Sequence, residues 1–128
     1  MKIAILTDFH YGDPIVGHPQ NDLADILLLR AVRRLNRLVR PDVTAVLGDV
    51  LNEGDASDAQ ARRAHLRGIL DKLQSPWIIV PGNHDGSPDR FYREFPRPAD
   101  IVDVGGIRFL PFVDRDEPGY NASRLPSE

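Results

Sequence analysis

Apolar positions along the chain fall into short runs that alternate between strand and helix periods. Residues 2–7 (Lys-Ile-Ala-Ile-Leu-Thr) are too few for a helix and rich in branched side chains, so they predict a buried strand. A loop containing Gly12, Pro14, Gly17 and Pro19 follows. Asn21 or Asp22 can cap the next element, in which Leu23, Ile26, Leu27, Ala31, Leu35 and Leu38 recur at helical spacing before Pro41 stops it. Val43 to Leu47 predict a second strand, broken by Gly48. Asp55 or Ser57 can cap a second helix, whose Leu66, Ile69, Leu70 and Leu73 form one apolar stripe. Trp77 to Val80, between Pro76 and Pro81-Gly82, predict a third strand. Ser87-Pro88 has the form of an N-cap and first helical residue, opening a short helix through about Glu94. Ile101 to Val104 and Ile107 to Val113 flank Gly105-Gly106, a hairpin signal.

The resulting order is β-α-β-α-β-α-β-β, which predicts an α/β fold with a mainly parallel sheet and flanking helices. The strands are apolar on both faces, with Ile3 and Ile5 on one side of the first and Ala4 and Leu6 on the other. Such strands need cover on both sides. With 128 residues, 41% hydrophobic and 27% charged, the chain has the size and composition of one globular domain. No apolar run approaches the ~18 residues of a membrane helix, and Met1-Lys2-Ile3 leads straight into a strand without signal-peptide features. A cytoplasmic location is the default expectation. The net charge of -3 argues against a chain that coats nucleic acid. Cysteine is absent, so any metal must be held by His, Asp, Asn or Glu.

Three polar clusters stand directly after the predicted strands: Asp8-Phe9-His10, Gly48-Asp49 and Gly82-Asn83-His84-Asp85. The carboxyl ends of parallel strands are where open α/β sheets bind ligands. Those segments would bring Asp8, His10, Asp49, Asn83 and His84 to one rim. Carboxylate, imidazole and amide donors suit Mn, Fe or Zn. Alternation along an extended segment puts residues 8 and 10 on the same side, and Gly48 and Gly82 allow sharp turns at strand ends.

Asp8-x-His10, Gly48-Asp49 and Gly82-Asn83-His84-Asp85, taken together and in this order, resemble the calcineurin-like metallophosphoesterase family over residues 3 to about 113. The resemblance implies a phosphodiesterase or phosphatase with a dinuclear metal centre and a bridging hydroxide. It assigns Asp8 and His10 to the first metal, Asp49 to both metals and Asn83 to the second. His84 would touch the phosphate and serve as general acid. Asn52 stands where the family commonly has an aspartate that orients this histidine, and Asp85 is a local substitute. The family also completes its site with later histidines, whereas the four histidines here are at 10, 18, 65 and 84. The expectation is therefore the first half of a four-layer α/β/β/α sandwich over 1–113. Residues 114–128 would be a polar tail or the start of the second half, in a truncated chain or a half-domain needing a partner.

The expected substrate is a phosphoester, with no membrane partner. The alternative is a non-catalytic half-domain acting as a metal-binding or protein-interaction module, which could self-associate through an uncovered sheet face. A phosphotransferase with Asp8 as nucleophile leaves His10 and the Asn83-His84 pair without a task. Arg30, Arg33, Arg34, Arg37 and Arg40 could track nucleic acid, but a solvated helix face is the favoured reading. His18 and His65 are expected to be solvated, and Phe91, Tyr92 and Phe95 to form a packing cluster. Asn121-Ala122-Ser123 matches a glycosylation sequon and is discounted.

Overall fold

The computed structural model describes residues 1–14 and 20–113. Strands β1 (Ile3–Leu6), β2 (Val43–Val46) and β3 (Trp77–Ile79) form a parallel sheet in the order β1-β2-β3. The register pairs Ile3 with Val43 and Leu6 with Val46, then Thr44 with Trp77 and Val46 with Ile79. Helix α1 (Ala24–Arg34) joins β1 to β2, and α2 (Ala59–Leu70) joins β2 to β3. The short α3 (Pro88–Phe91) leads to a separate antiparallel hairpin of β4 (Val102–Val104) and β5 (Ile107–Phe109). Gly105 and Gly106 turn that hairpin with φ of 58° and 81°, the mirror-image turn that suits twisted strands.

The core lies on one face of the sheet. Leu28 and Val32 of α1 and Leu66, Ile69 and Leu70 of α2 pack with Val46, Ile79, Val50, Leu51, Phe91 and Phe95. Phe91 stacks on Phe95 at 4.6 Å between ring centroids and meets Tyr92 edge-on at 5.3 Å, as a packing cluster should. The α2 stripe is placed as its periodicity predicts, with Leu66, Ile69, Leu70 and Leu73 all buried.

Helix α1 departs from the expected register. Its buried residues are Ala24, Leu28 and Val32, while Leu23, Ile26, Leu27 and Leu38 are exposed. Leucines and isoleucines occupy nearly every angle around this helix, so spacing alone left its inward face ambiguous. The capping expectations also change. Asn21 is buried inside a 3₁₀ turn, Asn21–Leu23, and α1 starts after Leu23 without a side-chain cap. Asp58, not Asp55 or Ser57, stands at the start of α2, and its carboxylate binds the Arg62 guanidinium at 2.6 Å. Ser87 and Pro88 do open α3, which ends at Phe91 rather than near Glu94.

The opposite sheet face is only partly covered. Ile3, Ile5 and Leu47 are 44%, 62% and 50% exposed. A groove of about 280 Å³, lined by Ala45, Leu47, Ile78, Val80, Phe109 and Phe112, runs between this face and the chain after β5. Among the described residues no helix is long and apolar enough to cross a membrane. His18, the sequon at Asn121 and the tail 114–128 lie outside the described residues.

Candidate metal centre

Strand pairing continues past the ends of β1 and β2 and carries the polar clusters with it. The amides of Asp8, His10 and Tyr11 donate to the carbonyls of Gly48, Asp49 and Val50, at 3.2, 2.9 and 3.0 Å. Tyr11 and Leu51 form one last parallel bridge. This lacing holds the first cluster against the second.

Asp8, His10 and Asp49 each present a donor atom, and these atoms lie within 4.8 Å of one another. His10 Nε2 is 3.6 Å from Asp8 Oδ1, and Thr7 Oγ1 donates to the other Asp8 oxygen at 2.6 Å. The route to this convergence differs from the extended alternation expected. Asp8 and His10 have φ of 58° and 48°, so two left-handed residues, not a straight segment, bring the side chains together. Asp49 is also left-handed, with φ of 50°, directly after Gly48 at 81°.

The third cluster arrives on the loop after β3. The amide of His84 donates to Asp49 Oδ1 at 3.0 Å, and the His84 and His10 rings meet edge to face at 4.8 Å. Asn83 is exposed in the same turn, between Gly82 and His84. A Cβ on Gly82 would stand 2.3 Å from Asp49 Oδ1, so only glycine lets the loops approach this closely.

The two residues expected to orient His84 have other geometry. Asn52 does so through its main chain: His84 Nδ1 lies 2.9 Å from the Asn52 carbonyl oxygen. The Asp85 carboxylate is fully buried and accepts from the amides of Leu51 at 3.0 Å and Gly82 at 2.8 Å. Burial pushes its pKa up to about 6; those amide bonds pull it down, and the nearby Asp49 charge adds to the rise. Asp85 thus fastens the loop that carries Asn83 and His84.

The donor set fits a divalent cation. Two carboxylates and an imidazole, partly exposed and free of sulfur, match hard or borderline metals.

Other charged residues lie outside the three motifs. Arg62 bonds Asp13 at 2.9 Å as well as Asp58, and its guanidinium lies 5.9 Å from the Tyr11 ring centroid. His65, half exposed as expected, bonds Asp25 of α1 at 2.9 Å. Arg63 is buried, although motif reading gave it no role. Its register with Ala59, Leu66 and Leu70 was the available signal. Arg30, Arg33, Arg34, Arg37 and Arg40 are exposed, as a solvated helix face requires.

The fold and this cluster place the chain in a known class. Residues 1–123 match the calcineurin-like phosphoesterase family, and the chain belongs to that family. It is similar to a metallophosphoesterase 1 homologue of Drosophila melanogaster, 37% identical over 90 residues, covering 66% of this chain and 24% of that protein. It is also similar to the glycerophosphodiester phosphodiesterase GpdQ of Enterobacter lignolyticus (strain SCF1), 33% identical over 88 residues, 66% of this chain and 30% of that protein. A third relative, a probable inactive purple acid phosphatase 28 of Arabidopsis thaliana, is 25% identical over 125 residues, 92% of this chain and 32% of that protein. The chain thus spans about a quarter to a third of the length of the curated relatives it matches.

Proposed function

We propose that this chain carries the metal-binding half of a phosphoester hydrolase acting on phosphodiesters or phosphomonoesters. The observation that supports it is the convergence of Asp8, His10 and Asp49 donors beside the His84 ring. The name of the Enterobacter relative favours a diester. In this reading Asp8 and His10 hold the first of two cations, Asp49 is shared, and Asn83 serves the second. Manganese, iron or zinc all suit these donors. When bound, such a pair supplies Lewis-acid charge and an acidified water.

The protein's own groups do the rest. Asp49 accepts the His84 amide and so ties the third loop to the first two. With Nδ1–H donating to the Asn52 carbonyl, a ring protonated on both nitrogens would pass its Nε2 proton to the departing alkoxide as the P–O bond breaks and be left in the neutral Nδ1–H form. Solvent then reprotonates the ring.

Hydrolysis of bis(p-nitrophenyl) phosphate and p-nitrophenyl phosphate across a manganese titration tests this. Turnover should rise with manganese and vanish in Asp49→Ala. Silence toward both substrates at every manganese concentration rejects the proposal.

A second reading is favoured by the exposed Ile3 and Ile5 and by the thin ligand set for a second cation. The chain would then be a non-catalytic module that binds one metal and associates with a second copy through the bare sheet face. Concentration-dependent dimerisation in sedimentation, with one manganese bound and no turnover, is its signature.

A further inference from the structure

One position on the buried side of α2 is charged. Arg63 is 4% exposed and lies in register with Ala59, Leu66 and Leu70. Its Nη1 donates to the carbonyls of Gly54 at 3.0 Å and Asp85 at 3.3 Å, and among the described residues its Nε has no partner. Among the described residues Arg63 takes part in no ion pair, and burial lowers its pKa against the opposing charge of Asp85. A buried cation paired only with carbonyls is costly, and an apolar side chain would fill the space more cheaply. The guanidinium therefore supplies something packing does not: it joins two loops.

Those loops are the ones that carry the site. One holds Asp49, Asn52 and Gly54, and the other holds Gly82, Asn83, His84 and Asp85. They are laced by Gly54 N–H to the His84 carbonyl at 2.7 Å, by Leu51 N–H to Asp85 Oδ1, and by the His84 amide to Asp49. There is no slack between them, since a Cβ on Gly54 would stand 2.0 Å from the Asp85 carbonyl carbon. A carbonyl oxygen has no proton to give, so the contact between His84 Nδ1 and Asn52 requires the hydrogen to be on Nδ1.

We infer that Arg63 is a positioning residue for His84. By joining the Gly54 and Asp85 carbonyls it sets the loop register in which the main-chain carbonyl of Asn52, rather than its side chain, accepts from Nδ1–H and leaves Nε2 facing the phosphoester. The inference rests on the role proposed for His84, but its test does not depend on turnover.

Long-range ¹H–¹⁵N correlation spectra of the metal-free protein at about pH 9, above the usual imidazole range, read the tautomer directly. The unsubstituted protein should show His84 in the Nδ1–H form alone. Arg63→Met removes the donors at similar length and should give a mixture of tautomers while cooperative unfolding persists. Asn52→Ala should keep the Nδ1–H form, because the acceptor is main chain. A folded Arg63→Met protein that retains only the Nδ1–H form overturns the inference, as does an Nε2–H tautomer in the unsubstituted protein or a tautomer switch in Asn52→Ala. If Arg63→Met does not fold, the unsubstituted protein decides. Separately resolved, slowly exchanging Arg63 Nη protons support the clamp, and rapidly averaged ones overturn it. A protein without turnover that still shows the Arg63-dependent tautomer rejects the phosphoesterase reading and leaves this one standing.

Discussion

Asp8, His10, Asp49 and Arg40 are the non-glycine residues with positive φ among those described, and the first three are the converging donors. Left-handed backbone costs a residue with a Cβ about 1–2 kcal/mol, less for aspartate, whose short side chain tolerates it. Strain of this kind gathers at functional sites and persists where neighbours over-determine it. Here the lacing of residues 8–11 to 48–50 does so. Gly82→Ala should therefore lower manganese affinity about 10–100-fold by calorimetry, because the new methyl displaces the Asp49 carboxylate. Gly68→Ala, in the interior of α2 with nothing within 4 Å, is the control and should raise stability by about 1 kcal/mol. Tyr92 gives a pH signature away from the metal donors. Burial pushes its phenol up to about 12, partly opposed by the Arg97 charge. The folded chain then keeps this proton after the unfolded chain has lost it, so stability should fall as pH rises from the ordinary tyrosine range toward 12. Denaturant melts across that range, with absorbance titration of the tyrosines, would record it.

At the scale of elements, α1 shows how a helix can be legible in existence and illegible in orientation. Its span and its stop near Pro41 follow from spacing and breakers. Its inward face follows from contacts with α2 and the sheet, which place Leu28 and Val32 inside. The helix ends in a π turn, Leu35–Val39, closed by Arg40 with φ of 49° and an amide bond to the Leu35 carbonyl at 2.7 Å. Left-handed closing positions favour glycine. Arg40→Gly should consequently stabilise the protein by about 1 kcal/mol in denaturant unfolding, and a loss of stability would contradict the assigned turn. Helix α3 is shorter than its signals suggest, because Phe91 and Phe95 are drawn into the core and the chain turns away after Phe91.

Across the whole molecule, the helices protect one side of a three-stranded sheet and leave apolar residues of the edge strand β1 open on the other. Parallel sheets are normally covered on both faces, so in the second reading proposed above this is the side on which a second copy would dock. Ile5→Lys places a charge on that edge. It should shift sedimentation toward the monomer while changing unfolding free energy by less than about 0.5 kcal/mol. A cost of several kcal/mol would mean that Ile5 is buried in the isolated chain.

The order of strands and helices, the hairpin at Gly105-Gly106 and the three polar clusters were all present in local sequence. Period, breakers and turn residues act over a few positions and need no partner to be recognised. The left-handed route by which Asp8 meets His10, the burial of Arg63, the amide bonds of Asp85 and the use of the Asn52 carbonyl were decided only by tertiary structure. Each depends on which loop lies against which, and on backbone atoms that carry no side-chain identity. A main-chain acceptor exists at every residue, so only the folded loops determine that the one at Asn52 meets His84.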